Sequence, residues 1–288
     1  MLAAAVLAGC GAGAGEPSAD ARLLVTRDFG GTVLHDEAEP EVRGADTVMR
    51  LLQRNAQVRT RFGGGFVQSI DGLAGGERDG RPVDWFFYVD GVLSERGAGD
   101  VRVADGASIW WDHHDWGSGP GSGSAAVGSF PAPFARAAST RLTCLPAGTR
   151  ACTVVRDALT RAGAEVTPDG EGPGVVVGTY AAVRRDASAR TLEEGPGASG
   201  VYARPSRDGR SLALLDDRAR TVRRAGAGAG LVAATRTAGA PPVWVVTGTD
   251  DAGLLRAAEA LRAEDLAGRF AVAVTGEGAV ALPEEAAR

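Results

Sequence analysis

The side chains best suited to chemistry are concentrated in one stretch, Ile109–Trp116, which reads Ile-Trp-Trp-Asp-His-His-Asp-Trp. It holds two of the chain's three histidines, and each stands next to an aspartate. A histidine beside a carboxylate can act as an acid–base pair, and both groups can bind a metal ion. The stretch therefore raises two possibilities: acid–base catalysis by His113 or His114 with Asp112 or Asp115, and metal binding.

The same stretch has the aromatic composition of a β-strand, in which successive side chains point to opposite faces. His113 and His114 then lie on opposite faces, and His35 is far away in the sequence, so no metal site is predicted. Each face would carry both aromatic and ionisable groups. This favours a cleft or an aromatic platform, and a hydrogen-bonded structural role for the His–Asp pairs is favoured over metal binding. One face would hold Trp110, Asp112, His114 and Trp116, and the other Trp111, His113 and Asp115.

A second aromatic strand, Trp85–Val89, precedes this one and ends at Asp90-Gly91. An Asp-Gly pair is typical of a tight hairpin turn, because both residues tolerate positive φ. The two aromatic strands together predict a surface for a ligand, although burial in the core is the favoured interpretation for Trp85 and Trp110 themselves. No catalytic residue is assigned. The candidate ligand-contacting residues are Trp85, Tyr88, Trp110, Asp112, His114 and Trp116.

The elements around these strands predict a mixed sheet with one helix packed on it. Their order is strand, strand, helix and then several strands, which is typical of a compact β-grasp-like fold, and we expect it over residues 21–134. The helix is Thr47–Asn55, with apolar residues at helical spacing and Asp46 as the expected N-cap. The strands are Arg22–Arg27, Thr32–His35, Val58–Arg61 and Phe66–Ile70, the last two on either side of three glycines.

The second half, residues 141–280, alternates between helices and buried strands, which predicts a small α/β sandwich. The whole chain is therefore expected to be α+β with two domains. A linker at residues 135–140 would join them, and residues 281–288 would form a tail. The helices are Cys152–Ala162 and Asp251–Ala263, the latter capped by Thr249 or Asp250, and the strands include Val175–Gly178 and Val243–Val246.

The N-terminus resembles the signal of a bacterial lipoprotein. The apolar run Leu2–Leu7 leads into Leu7-Ala8-Gly9-Cys10, which is similar to a lipobox. The resemblance implies cleavage before Cys10 and acylation of that cysteine. The run is too short to span a bilayer, whereas several acyl chains hold a protein firmly at a membrane surface. We therefore expect a signal and tether over residues 1–20, and a chain anchored to the cell membrane on its extracytoplasmic side.

Composition and the remaining cysteines are consistent with export. The chain has a net charge of −5, no lysine and no basic cluster, which argues against nucleic acid as a partner. Its 288 residues, 44% of them hydrophobic, suffice for two domains that each bury a core. Cys144 and Cys152 are the only cysteines after Cys10, and a pair in an oxidising compartment predicts a disulfide.

Three separated motifs carry a resemblance to a known family: Gly64–Ile70, Asp84–Gly91 and Trp110–Trp116. In this order they are similar to a bacterial exported domain related to the C-terminal domain of transcobalamin and intrinsic factor, over residues 21–134. The resemblance implies a β-grasp-like fold and binding of cobalamin or another small ligand. Transcobalamin also has a large helical domain, which nothing here resembles. The chain is therefore expected to bind cobalamin weakly, to need a partner such as a transporter component or a second binding subunit, or to bind something else.

These observations leave three functions open. The first is a lipid-anchored protein that binds a small molecule, with cobalamin or another corrinoid as the candidate, for uptake. The second is a structural or protein-interaction module at the cell surface without a small ligand, and near-complete burial of the four tryptophans between residues 84 and 116 would favour it. The third is an enzyme that uses a His–Asp pair. No resident cofactor is expected.

Overall fold

The computed structural model describes residues 21–44, 46–116 and 124–285. The predicted lipidation site Cys10, with the tether, lies outside the described residues, and so do residues 286–288 of the predicted tail. Over the described residues the chain is α+β, as the sequence predicts. No helix among them is long and apolar enough to cross a bilayer.

The first half forms a mixed sheet, a small second sheet and one α-helix. Its elements are β1 (Arg22–Arg27), β2 (Thr32–Glu37), α1 (Val48–Asn55), β3 (Val58–Arg61), β4 (Phe66–Ile70), β5 (Leu73–Ala74), β6 (Gly76–Arg78), β7 (Arg81–Val89), β8 (Val92–Leu93) and β9 (Ser108–Asp115). The mixed sheet, here called sheet 1, has the order β2-β1-β9-β7-β6, and β8 pairs with β7. Strands β1 and β9 run parallel at its centre. Strands β3, β4 and β5 form the small sheet.

The second half is built around a larger sheet, here called sheet 2. Its elements are α2 (Ala132–Ala135), β10 (Thr140–Cys144), α3 (Arg150–Arg161), β11 (Val166–Thr167), β12 (Gly174–Thr179), α4 (Tyr180–Val183), α5 (Ala187–Glu194), α6 (Pro196–Ser199), β13 (Ala203–Pro205), β14 (Leu212–Leu215), β15 (Thr221–Ala225), β16 (Gly230–Thr235), β17 (Val243–Gly248), α7 (Asp251–Glu259), α8 (Ala263–Leu266), β18 (Ala271–Thr275) and β19 (Gly278–Leu282). Sheet 2 has the order β11-β10-β12-β17-β16-β18-β19, and β13, β14 and β15 form a separate sheet.

Apolar side chains form three cores, which bury both faces of sheet 1. One core lies between sheet 1 and α1, and a second lies between sheet 2 and the helices α3 and α7. The third, here called the shared core, contains residues of sheet 1 and of the second half. They include Leu24, Tyr88, Trp110, Leu231 and Phe270. The predicted linker at residues 135–140 runs from the end of α2 to the start of β10, and the domain boundary there stays a prediction.

Helix α1 begins one residue later than predicted, because Thr47 and not Asp46 is its N-cap. The Thr47 hydroxyl accepts the backbone N–H of Arg50 at 3.4 Å. Asp46 is buried and instead accepts from the backbone N–H of Arg43 and from the Arg54 guanidinium, both within 2.9 Å. The prediction of Asp46 as the cap was therefore wrong, because the Arg54 side chain competes for its carboxylate.

The predicted disulfide between Cys144 and Cys152 is confirmed, with the two Cα atoms 5.9 Å apart. It joins the end of β10 to the first turn of α3. Replacing both cysteines by serine should lower the free energy of unfolding by about 2–3 kcal/mol, because the bridge removes loop entropy from the unfolded chain. Urea unfolding of the variant measures this, with reduced wild-type protein as the control. Equal midpoints for the oxidised, reduced and variant proteins would contradict the expectation.

Candidate functional site

Four of the six predicted ligand-contacting residues share one face of sheet 1, and this face is turned toward the second half. The pairing of β7 with β9 places Tyr88 opposite Trp110. Side chains on this face alternate with those on the other, as predicted. None of the four is more than 4% exposed, so they lie inside the protein. The four are Tyr88, Trp110, Asp112 and His114.

The other two predicted residues lie apart from this group. Trp85 is on the opposite face, in the core beneath α1, and its Nε1–H donates to the carbonyl oxygen of Leu73 at 2.9 Å. Trp116 follows the end of β9 and is 58% exposed, with its ring edge-on to Phe86. The structure therefore does not gather the six residues around one opening, and their role as ligand contacts stays a prediction.

Asp112 is a fully buried carboxylate that accepts four hydrogen bonds. Its Oδ1 accepts the backbone N–H of Phe29 at 3.0 Å and lies 2.7 Å from Nδ1 of His114. Its Oδ2 accepts the backbone N–H of Gly30 at 2.8 Å and the hydroxyl of Thr26. An ionised carboxylate can only accept, so this contact is a hydrogen bond in the tautomer that has its proton on Nδ1 of His114. The network satisfies a charge that would be costly to bury alone.

The His114 imidazole is enclosed by aromatic rings. The Phe29 and Phe86 rings lie on it with centroids 4.4 Å away, and Phe270 meets it edge-on at 5.6 Å. Asp112 and His114 thus have the separation of an acid–base pair. Aromatic rings cover the imidazole, and backbone amides of the β1–β2 turn donate to the carboxylate. The pair therefore stabilises the turn between β1 and β2.

This turn needs such support, because Asp28, Phe29 and Gly30 all have positive φ, at 59°, 57° and 81°. For residues with a Cβ this conformation costs about 1–2 kcal/mol each. At Gly30 a Cβ would stand 1.8 Å from the carbonyl oxygen of Gly268, so only glycine allows this close approach of the two halves. The turn directs Phe29 both toward His114 and into the wall of a cleft.

The cleft, with a volume of about 500 Å³, lies between the two halves. Its walls come from four segments: the β1–β2 turn, the β6–β7 turn, the β14–β15 turn and the residues after β19. None of its lining residues belongs to the predicted set. They are Asp28, Phe29, Arg78, Asp79, Arg81, Asp216, Asp217, Arg218, Arg220, Pro283, Glu284 and Glu285.

Ion pairs across the cleft connect the halves. Arg81 Nη2 lies 2.7 Å from Asp217 Oδ2, and its Nη1 contacts Asp115 at the end of β9. Arg218 lies 3.5 Å from Asp79. Burial acts to lower the pKa of Arg81, but the hydrogen bond with Asp217 and the charges of Asp115 and Asp217 outweigh it and raise that pKa. Arg81 is therefore a permanently charged group that bridges the halves.

The cleft carries more carboxylates than guanidinium groups, six against four. Each of its guanidinium groups also pairs with a carboxylate, as Arg78 does with Asp28 at 2.6 Å. A strongly anionic ligand would meet net repulsion here. The lining therefore suits a neutral or zwitterionic molecule with both hydrogen-bond donors and acceptors, and Phe29 offers one apolar contact.

His113, the other histidine of β9, has its hydrogen-bond partner on the other face of sheet 1. His113 Nε2 lies 3.1 Å from the carbonyl oxygen of Ala74. Burial lowers the pKa of His113 and outweighs the opposite effect of this hydrogen bond. Among residues 21–44, 46–116 and 124–285, no group of three or more His, Cys, Asp and Glu side chains is placed to hold a metal ion.

Sequence reasoning missed the cleft because its walls come from segments far apart in the chain. A weak signal existed in two turns where arginine and aspartate crowd together, Arg78-Asp79-Gly80-Arg81 and Asp216-Asp217-Arg218. Such charged turns are usually solvated surface, so they point to a site only once the fold places them opposite each other.

The fold and the cleft define an α+β protein with a polar opening between two packed halves. A family described as a domain of unknown function, DUF4430, matches residues 45–115, from just before α1 to the end of β9. The match includes five of the six predicted ligand-contacting residues and ends one residue before Trp116. No curated protein matches the chain.

Proposed function

We propose that this protein is a lipid-anchored, extracytoplasmic protein that binds a small molecule in the cleft between its halves. The observation that carries the proposal is the cleft itself. Its volume of about 500 Å³ falls within the usual range for small-molecule sites, which often lie between domains. The lipobox-like residues that end at Cys10 support the membrane anchor, and binding for uptake is the role that suits such a position.

The resemblance to the transcobalamin C-terminal domain supports cobalamin or another corrinoid as the ligand. A corrinoid carries a flat ring fringed with amides, which donate and accept hydrogen bonds. The mixed lining of arginine and carboxylate side chains can pair with both kinds of group. Phe29 lines the cleft and offers one apolar contact to the ring.

A titration tests this proposal. We would use the full chain with Cys10→Ser, which removes the acylation site, and add cobalamin and its precursors while recording tryptophan fluorescence. Absorbance by the corrin must be corrected, so calorimetry repeats the measurement. Saturable binding supports the corrinoid assignment. No binding at high micromolar concentrations would overturn it.

A variant pair locates the site. Arg218→Gln removes a charged donor from the cleft and should weaken binding about tenfold or more, since a hydrogen bond to a charged group contributes about 1.5–3 kcal/mol. Arg22→Gln is the matched control, because Arg22 is equally exposed and pairs with Asp36 away from the cleft. Equal affinity of the two variants would place the ligand outside the cleft.

The alternative function, an interaction module at the cell surface, also has an observation in its favour. Of the four tryptophans between residues 84 and 116, Trp85, Trp110 and Trp111 are buried and only Trp116 is exposed. Most of the aromatic stretch therefore stabilises the fold and leaves little of an aromatic platform. A negative titration would move the assignment to this alternative.

A further inference from the structure

The turn between β3 and β4 exposes an aromatic pair. Phe62 is 87% exposed and Phe66 38%, and their rings meet edge-on with centroids 6.2 Å apart. Single exposed apolar residues are common on protein surfaces. Phe62 is unusual because almost its entire side chain is exposed at the tip of a hairpin, where no described residue covers it.

Three consecutive residues of this tip have a left-handed backbone conformation. Phe62, Gly63 and Gly64 all have positive φ, at 51°, 70° and 96°. A Cβ added at Gly63 or Gly64 would have no neighbour within 4 Å among the described residues. The three glycines bring no side chains of their own, so the two phenylalanine rings are the apolar groups that this tip presents.

The segment that carries the tip is basic, although the chain as a whole has a net charge of −5. Thr47–Ile70 contains four arginines and no aspartate or glutamate. Arg54 is engaged with Asp46. Arg59 and Arg61 are exposed two positions apart on β3, and neither forms an ion pair with any residue the structure describes.

We propose that this hairpin docks on an anionic lipid surface, with the Phe62 ring inserted among the headgroups and Arg59 and Arg61 against lipid phosphates. Aromatic rings and arginines are the side chains that favour the membrane interface, and arginine pairs well with phosphate. A tip with one almost fully exposed ring fits a deformable lipid layer. A protein partner would need an apolar patch with shape complementarity, and this tip offers two rings beside glycines.

The depth of residue 62 in a bilayer tests insertion directly. The full chain with Cys10→Ser and Phe62→Trp would be mixed with phosphatidylglycerol–phosphatidylcholine vesicles whose acyl chains are brominated close to the headgroups, because bromine quenches nearby tryptophan fluorescence. Val33→Trp is the matched control, since Val33 is an apolar residue 56% exposed on β2, in another part of the surface. We expect the fluorescence added at residue 62 to be quenched and that added at residue 33 to persist. Equal quenching, or none, would overturn the proposal.

Charge substitution tests the phosphate contacts. Arg59→Gln with Arg61→Gln should weaken binding to phosphatidylglycerol vesicles about 25-fold, at about fivefold per arginine near an anionic surface. The N-terminal segment is the same in all variants, so its affinity for the vesicles does not affect the comparison between them. Arg22→Gln controls for the loss of a surface charge. Unchanged binding of the double variant or of Phe62→Ala would overturn lipid docking and point to a protein partner. Ligand binding in the cleft should not change in these variants, so the two proposals can fail separately.

Discussion

Replacing Trp110 by alanine should lower the free energy of unfolding by about 3–5 kcal/mol, the usual cost of removing a large buried aromatic side chain. Trp110 is 0% exposed and packs in the shared core, with ring centroids 4.8 Å from Phe270 and 5.5 Å from Tyr88. Its Nε1–H also donates to the Thr26 hydroxyl at 2.7 Å, so the substitution removes both packing and a buried hydrogen bond. Urea unfolding followed by circular dichroism measures the change.

Trp116→Ala is the control for Trp110→Ala. Its ring is 58% exposed, so its removal should change stability by less than about 0.5 kcal/mol. The pair separates the two interpretations of the aromatic stretch. If Trp110→Ala kept wild-type stability and lost ligand affinity, Trp110 would be a ligand contact, and its place in the shared core would be wrong.

Replacing Asp112 by alanine should cost about 3–5 kcal/mol, the range for breaking a buried charged pair by removing one partner. Four donors lose their acceptor at once, and three of the residues that supply them, Thr26, Phe29 and His114, are buried. The backbone amides of Phe29 and Gly30 should then exchange hydrogen faster than in the wild type. Denaturant unfolding and amide exchange together measure the stability and the local opening.

Asp36→Ala is the matched control for Asp112→Ala, because Asp36 is an exposed carboxylate whose pair with Arg22 lies on the surface. A surface pair contributes about 0–1 kcal/mol. Asp112→Asn keeps the shape but loses half of the acceptors and should fall between these two. A loss under about 1 kcal/mol for Asp112→Ala, with unchanged exchange at Phe29, would show that the turn does not depend on this carboxylate.

Local sequence signals predicted much of the fold. The turn at Asp90-Gly91 has the positive φ that its residues favour, at 50° and 78°. Helix α7 is capped by Asp250, one of the two predicted caps, although it ends at Glu259, short of the predicted Ala263. These features depend on residues a few positions apart, so a sequence pattern can reveal them.

The sequence could not show what covers each face of sheet 1. Polar and aromatic groups on both faces of β9 suggested an open cleft or platform. The structure gives a different reason for the pattern, since sheet 1 is a middle layer with α1 on one side and the second half on the other. Buried ionisable groups such as Asp112 are then satisfied by internal partners. Alternation along a strand identifies its two faces, but it does not show which distant segments of the chain pack on them.

The shared core has an evolutionary consequence. Leu24 and Trp110 on one side and Phe270 on the other fill the same space, so a change of volume in either half alters the fit of the other. The Gly30–Gly268 approach adds a constraint of the same kind. Substitutions at these positions are therefore expected to be inherited in compensating pairs. A segment of this kind joined to a different second half would need different side chains on the face of sheet 1 that packs in the shared core.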